Sequence, residues 1–343
     1  MNLLNKTLGL LNIKEKKLIY FLSILFVLSM LLEVISLGAI IPIISTLLDH
    51  NELGKNLNFL NNIFFINLIS NLEITYIFAS FIIIFLIKNV FIYCTWIFKS
   101  FVLNKITARL SKEIFQHYSF LDYENFTEKK TAEMVNITSN IVDTFKETLG
   151  NIIILFSEIV VFIGIVTFLI LIEPKSISLI TSIALFLSLL FYFINKNILS
   201  EWGKKIKINR EGKLQILFQS LSSIKNIKIL NNQNFFTKTY NYFNLKEYKF
   251  IHLSTVVSIL PRYIFEMMGV SLIIISIIFM TKINIPKNEI IIILSIIGLA
   301  SFRVLPAVAR ITNSLSLIRF YKYSVDVIHS ELRKDSHKEK HDG

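Results

Sequence analysis

The stretch that decides the fold runs from Asn151 to Ile194: NIIILFSEIVVFIGIVTFLILIEPKSISLITSIALFLSLLFYFI. Its two halves are almost wholly apolar, and only Glu173-Pro174-Lys175 separates them. A helix of about 20 apolar residues, rising about 1.5 Å per residue, crosses the roughly 30 Å hydrocarbon core of a bilayer. Proline favours a helix boundary at this turn. The stretch therefore predicts two membrane-spanning helices joined by a tight turn.

The whole chain follows the same pattern. It has 343 residues, of which 53% are hydrophobic and 17% charged, which excludes an ordinary soluble domain. We predict an all-α integral membrane protein with six transmembrane helices, a cytoplasmic interfacial segment at 1–17, a transmembrane domain at 18–320 and a charged cytoplasmic tail at 321–343. The six windows long enough to span are 18–48, 74–98, 151–172, 176–194, 251–281 and 288–320.

The distribution of Lys and Arg predicts the orientation. Segment 195–250 carries 11 of them and segment 99–149 carries seven, whereas 49–73 has only Lys55. Basic segments stay on the cytoplasmic side, so we expect both termini in the cytoplasm and the protein in the inner, cytoplasmic membrane. The net charge of +12 is thus explained by topology and lipid headgroups, without nucleic acid.

The two basic segments are themselves predicted to be helical. Each is about 50 residues long, nearly free of Gly and Pro, with apolar residues at helical spacing. Folded back on themselves, they form two long cytoplasmic helical hairpins with tips near 121–130 and 222–232. We expect the paired tips to dock a partner protein; the alternative is a structural stalk.

Ionisable residues interrupt the apolar runs and are the candidate site. At the bilayer centre each charge costs about 2.5–3.5 kcal/mol, so such groups are usually paired, line an aqueous cavity or bind a ligand of opposite charge. The four basic residues outnumber the three acidic ones, which favours an anionic ligand. The basic set is Lys88, Arg262, Arg303 and Arg310, and the charge-balancing set is Glu33, Glu158 and Glu266.

Other roles for these residues stay open at the sequence level. Arg262 and Glu266 have the i, i+4 spacing of an intrahelical pair. Arg310 can extend to the lipid headgroups. Glu33 and Glu158 can balance the arginines, with proton coupling as the alternative.

The sequence offers no signature of enzyme chemistry. No GxxxxGK[ST] motif occurs, so we expect no catalytic residues, no nucleotide-binding domain and no cofactor bound by this chain; ATP and Mg²⁺ come with a partner ATPase, or else the coding sequence is truncated. The single Cys94 excludes an intrachain disulfide, and we predict no metal site, since His337 and His341 lie in the charged tail.

Two short segments resemble the membrane domain of ABC exporters, a family of ATP-driven transporters. Tyr123-Glu124-Asn125-Phe126 is similar to the first coupling segment of that family, and Ile224-Lys225-Asn226 lies in a stretch that resembles the second. The resemblance implies the type 1 exporter fold, a homodimer, and coupling of both segments to an ATPase subunit or domain.

A closer resemblance is to the membrane half of PglK-like lipid-linked oligosaccharide flippases. The segments that carry it are Lys88-Asn89, Ser157-Glu158-Ile159, Leu260-Pro261-Arg262, Phe302-Arg303 and Ala309-Arg310-Ile311. It implies that the basic residues face a central cavity and hold the pyrophosphate of an anionic lipid-linked saccharide. Lys88 stands where the family has arginine, which keeps the charge without the planar fork.

We therefore predict the membrane subunit of an ABC transporter that flips an anionic lipid-linked oligosaccharide or a similar polyprenyl-pyrophosphate lipid. The alternatives are an exporter of hydrophobic peptides or drugs, a non-transporting membrane scaffold subunit, and a secondary transporter. The last is disfavoured because no inverted repeat is evident in the sequence.

Overall fold

The computed structural model describes residues 3–38, 74–127, 129–172, 174–282 and 287–333, and these are almost entirely helical with no strand among them. Among the described residues, a π-helical turn, Ile137–Ile141, joins the helices Thr131–Asn136 and Val142–Ile172. The helices are α1 (Leu3–Gly9), α2 (Ile13–Gly38), α3 (Ile74–Ser119), α4 (Tyr123–Thr127), α5 (Thr131–Asn136), α6 (Val142–Ile172), α7 (Pro174–Ser222), α8 (Ile224–Ile229), α9 (Gln233–Lys282) and α10 (Lys287–Arg333).

Five stretches of helix in the described residues are long and apolar enough to cross a membrane. They are Ile13–Ser36, Ala79–Ser119, Thr131–Leu171, Thr181–Ser222 and Gln233–Ile275. The sixth predicted span, 288–320, lies within α10 and is not among the five. The predicted multi-pass helical fold is confirmed, and the count of six remains a prediction. Residues 39–48 of the first predicted span, the loop 49–73 and Glu173 lie outside the described residues.

The two predicted helical hairpins are confirmed, and their cytoplasmic location stays a prediction. Helix α7 has 49 residues and α9 has 50, so each is about 75 Å long, more than twice the thickness of the hydrocarbon core. A short helix lies at each tip, α4 between α3 and α5, and α8 between α7 and α9. At the second tip, Asn231 takes a positive φ of 51° just after α8, the left-handed conformation that commonly ends a helix.

Helix α10 is the centre of the bundle, packing against α6, α7 and α9. Its C-terminal part contributes to a buried apolar cluster with α3 and α6, in which Leu110, Phe145 and Ile328 are fully buried. The segment 321–333, predicted as part of a charged tail, is instead the last part of α10. The reason is that Val325 and Ile328 recur at helical spacing and are buried. Residues 334–343, with His337 and His341, lie outside the described residues.

Ion pairs stabilise the end of the bundle that carries the first hairpin tip and the C-terminal part of α10. Lys6 of α1 pairs with Asp326 of α10. Glu331, near the end of α10, accepts hydrogen bonds from Lys129 Nζ at 2.6 Å and from the Tyr118 hydroxyl at 3.1 Å. The N-terminal helix and the first hairpin tip are therefore both tied to the end of α10.

Candidate functional site

Two of the four candidate cations lie on α10 and have acidic partners on other helices. Arg303 pairs with Glu33 of α2. Arg310 Nε donates a hydrogen bond to Oε1 of Glu158 on α6 over 2.7 Å. Both arginines keep access to space outside the protein, with 27% and 47% of their side chains exposed. These pairs join α10 to two neighbouring helices inside the apolar part of the bundle.

The third cation, Arg262, has a different environment. It is exposed on α9, and so is Glu266 one turn further along. Within the described part of the chain the two side chains form no ion pair with each other or with another residue. Arg262 is therefore a candidate cation whose charge no acidic group of the described residues balances.

Lys88 of α3 is buried, with 6% of the residue exposed. Its Nζ lies 3.8 Å from the centre of the Phe85 ring, a cation–π contact one turn away on the same helix. The aromatic face stabilises the ammonium without neutralising it.

A cavity of about 660 Å³ opens among four helices at the cytoplasmic end of the predicted spans. Its lining is polar and charged on the side of α6, where Asp143, Lys146 and Glu147 contribute, and Arg210 of α7 faces them. Its lining also includes Ser258 of α9 and Asn313, Tyr321 and Tyr323 of α10. We call this space the cytoplasmic cavity.

The helical register connects the cytoplasmic cavity to the cations. On α9, Arg262 lies seven residues after the lining residue Thr255 and four residues after the lining residue Ser258. On α10, Arg310 lies seven residues before the lining residue Leu317 and three residues before the lining residue Asn313. Residues three, four and seven apart share a helix face. Arg262 and Arg310 thus lie on the faces that form the cavity, about one helical turn deeper in the predicted membrane.

Sequence reasoning missed several charged residues of this region. Lys99 of α3 is buried against the Trp96 ring, 4.1 Å from its centre, and the negative charges of Glu147 and Glu158 act on its ammonium. It lies 11 residues after Lys88, which is three helical turns and the same face. That spacing is the available signal, but Lys99 follows the end of the predicted span 74–98 and belongs to the basic segment 99–149.

The wall of the cytoplasmic cavity is ordered by further charged and aromatic groups. Arg210 Nε lies 2.7 Å from Oε1 of the buried Glu247 on α9, and Lys213 pairs with the same carboxylate. Burial raises the pKa of the hydroxyls of Tyr321 and Tyr323, so both stay neutral hydrogen-bonding groups at physiological pH. The described residues contain no group of three His, Cys, Asp or Glu placed to hold a metal ion.

The predicted coupling residues lie at the hairpin tips and are accessible. Tyr123 is 82% exposed, and Glu124 and Lys225 are exposed as well. Apolar side chains project beside them, with Phe120 at 85% and Leu230 at 71% exposure. Asn125 is half-buried, whereas Phe126, Ile224 and Asn226 are exposed. Large apolar side chains at two tips outside the membrane favour docking of a partner protein.

Long apolar helices that continue into two helical hairpins, with ionisable residues inside the bundle, are typical of a transporter membrane domain. The family comparison agrees: residues 18–307 match the model of the ABC transporter transmembrane region. This chain belongs to that family and has the type 1 exporter fold. Membrane domains of this family generally pair with ATPase domains and often form dimers.

Proposed function

We propose that this chain, as the membrane subunit of an ABC exporter, flips an anionic lipid-linked oligosaccharide or a similar polyprenyl-pyrophosphate lipid across the inner membrane. The observation that carries the proposal is Arg262, an exposed cation without an ion-pair partner in the described residues, on the helix face that leads into the cytoplasmic cavity. A pyrophosphate supplies the missing negative charge. Arginine binds phosphate oxygens through two parallel hydrogen bonds, which are stronger when both partners are charged.

The other cations support Arg262 in this proposal. Arg310 and Arg303 keep part of their side chains accessible although each has a glutamate partner. Lys88 adds a further positive charge within the predicted spans. While no substrate is bound, the glutamates lower the free-energy cost of placing the arginines in the bilayer, because paired charges cost less there than isolated ones. The lipid chain of the substrate stays in the bilayer.

Energy for transport comes from an ATPase subunit or domain that binds the two hairpin tips, with ATP and Mg²⁺ held by that partner. The chain works as a homodimer around a shared cavity, with both termini in the cytoplasm. ATP closes the ATPase pair, the tips move with it, and the long hairpin helices transmit the movement to the spans. The exposed residues of the tips, Tyr123 and Leu230 among them, support this docking mode.

A substrate comparison tests the proposal. The full chain and its ATPase are reconstituted in proteoliposomes, and ATP hydrolysis is measured with undecaprenyl pyrophosphate carrying a saccharide, with undecaprenol, and with phosphate-free amphiphiles. We expect stimulation only by the pyrophosphate lipid. Equal stimulation by undecaprenol would contradict a role for the phosphate.

A second candidate function is export of a hydrophobic peptide or drug. The Arg303–Glu33 and Arg310–Glu158 pairs favour it, since two of the cations are already balanced within the protein. In that case phosphate-free amphiphiles stimulate the ATPase and the pyrophosphate lipid does not. The same experiment therefore separates the two candidates.

A further inference from the structure

The junction between α1 and α2 is held by Arg109 of α3. Arg109 Nε and Nη2 donate to the two carboxylate oxygens of Glu15 at 2.6 and 2.7 Å, and Nη2 also donates to the carbonyl oxygen of Leu10 at 2.8 Å. Glu15 is 5% exposed and accepts a further hydrogen bond from the backbone N–H of Asn12. Glu15 is the only acidic residue in 1–20. The one negative charge of this segment is therefore drawn into the protein.

Three lysines next to Glu15 in the sequence are exposed instead. Within the part of the chain that the structure describes, none of the three forms an ion pair. They are Lys14, Lys16 and Lys17. Arg109 divides its charge between Glu15 and Glu113, so these six side chains carry four positive and two negative charges. The surface at the start of α2 keeps a net positive charge.

These lysines lie at the depth of the lipid headgroups. The rings of Phe21 and Phe98 are in edge contact, with 5.5 Å between their centroids, and Phe98 ends the predicted span 74–98. Lys17 and Lys14 precede Phe21 by four and seven residues, which is about 6–10 Å along the helix. The headgroup layer extends about 5–7 Å beyond the hydrocarbon on each side. The flexible stems bring the ammonium groups into this layer.

Exposed apolar side chains flank the lysines. On the membrane side, α2 exposes Tyr20 at 71% and Ile24 at 44%, three and seven residues after Lys17 and so on the same helix face. On the other side, α1 exposes Leu4 and Leu8, one turn apart. Cations beside exposed apolar groups are typical of a segment that contacts lipid. We call the surface formed by Leu4, Leu8 and the three lysines the basic corner.

We propose that the basic corner is a binding site for anionic phospholipids, with the ammonium groups on the headgroup phosphates and the acyl chains beside Tyr20 and Ile24. The charge by itself also suits an acidic protein, but the depth and the apolar neighbours favour lipid. Since Lys6 of α1 pairs with Asp326, a bound lipid also stabilises the packing of α1 on the end of α10. This inference goes beyond the proposed function and does not depend on the transported substrate.

A comparison of two phospholipids tests the site. The full chain, purified in dodecyl maltoside, is titrated with phosphatidylglycerol and with phosphatidylcholine, and bound lipid is counted by native mass spectrometry. The wild type should bind phosphatidylglycerol at least about tenfold more tightly, because each lysine beside an anionic surface raises the affinity by about fivefold. The triple variant Lys14→Gln, Lys16→Gln, Lys17→Gln should lose this preference. The corresponding triple arginine variant keeps the charges and should retain it.

A matched control removes the same charge from the second hairpin. The triple variant Lys225→Gln, Lys228→Gln, Lys238→Gln replaces three exposed lysines far from the basic corner and should bind both lipids as the wild type does. A second measurement needs no variant. Hydrogen exchange in 3–19 should slow in nanodiscs that contain phosphatidylglycerol, relative to pure phosphatidylcholine, and exchange in 224–238 should not. Inorganic phosphate should not reproduce the effect, since it has no acyl chains.

Three results would overturn the site. The first is equal affinity of the wild type for the two lipids. The second is an equal loss of preference in the two glutamine variants, which would indicate a general attraction by positive charge. The third is unchanged hydrogen exchange in 3–19 on addition of phosphatidylglycerol, which would place the lipid elsewhere. The proposed function is unaffected by all three, because none of them measures transport of the pyrophosphate lipid.

Discussion

Arg310 of α10 and Glu158 of α6 form a hydrogen-bonded ion pair, with 2.7 Å between Nε and Oε1, inside the apolar part of the bundle. The two partners differ in exposure: 12% of the Glu158 side chain is accessible and 47% of the Arg310 side chain. The carboxylate is therefore largely enclosed by the protein, whereas the more exposed guanidinium is accessible to a ligand. A single pair thus joins two helices and still presents a cation.

Removing the carboxylate of this pair should destabilise the bundle. Breaking a buried pair costs about 3–5 kcal/mol and breaking an exposed one about 0–1 kcal/mol, so Glu158→Ala, in a half-buried pair, should cost about 1–3 kcal/mol. The melting temperature of the purified protein in detergent measures this. The charge-reversed double variant Glu158→Arg, Arg310→Glu should recover part of the loss. An unchanged melting temperature in Glu158→Ala would show that the pair does not support the fold.

Replacement of Arg262 should affect transport more than stability. Because Arg262 is exposed and has no ion pair in the described residues, Arg262→Ala should change the free energy of unfolding by about 0.5 kcal/mol or less. Translocation of the pyrophosphate lipid in proteoliposomes should fall by about tenfold or more, the loss expected for one charge-assisted hydrogen-bonded contact. Arg262→Lys should retain part of the activity, since it keeps the charge and loses the fork.

Lys249→Ala is the matched control, because it removes an exposed cation from the same helix outside the cavity lining. Equal activity of Arg262→Ala and the control variant would refute the role of Arg262 in substrate binding.

The hairpin tips should control coupling without affecting the fold. Tyr123→Ala and Leu230→Ala truncate side chains that are 82% and 71% exposed, so the melting temperature should stay the same. Truncating an anchor residue of an interface often costs about 2 kcal/mol or more, which corresponds to a loss of about thirtyfold in affinity for the ATPase. A pull-down titration with the ATPase measures it.

Phe115→Ala, on the side of the first hairpin, removes an equally apolar and 64% exposed ring and should bind the ATPase normally. Identical losses in the tip variants and in Phe115→Ala would mean that the whole hairpin surface, and not its tips, contacts the partner.

The helical fold could be predicted because the bilayer imposes a length on every spanning helix. The apolar runs around Glu173-Pro174-Lys175 and the Gly- and Pro-poor basic segments gave the spans and the hairpins, and α4 and α8 lie within the predicted tip ranges. The sequence prediction ends α10 too early. Hydropathy cannot distinguish a solvated charged tail from a charged helix that buries one face, here the face with Val325 and Ile328.

The partners of the candidate cations could not be predicted, because they depend on how helices distant in sequence pack. The i, i+4 spacing of Arg262 and Glu266 allowed a pair that the structure does not form, whereas Arg310 and Glu158 are 152 residues apart and do pair. The cytoplasmic cavity was also missed, since its polar residues come from four helices and none forms a motif by itself.

One glycine should prove essential to the packing of α7 on α10. A methyl group on Gly203 would overlap the carbonyl oxygen of Phe320, which is backbone and cannot rotate away. Gly203→Ala should therefore push the two helices apart and destabilise the protein by about 1–3 kcal/mol or more, the usual cost of overpacking. Gly298→Ala is the matched control, because a methyl group there meets none of the described atoms within 4 Å. Alanine is the better helix former by about 0.8–1.0 kcal/mol, so this variant should match or exceed the wild type in melting temperature. If Gly203→Ala and Gly298→Ala have the same melting temperature, the close approach of α7 to α10 at Phe320 is not a feature of the folded protein.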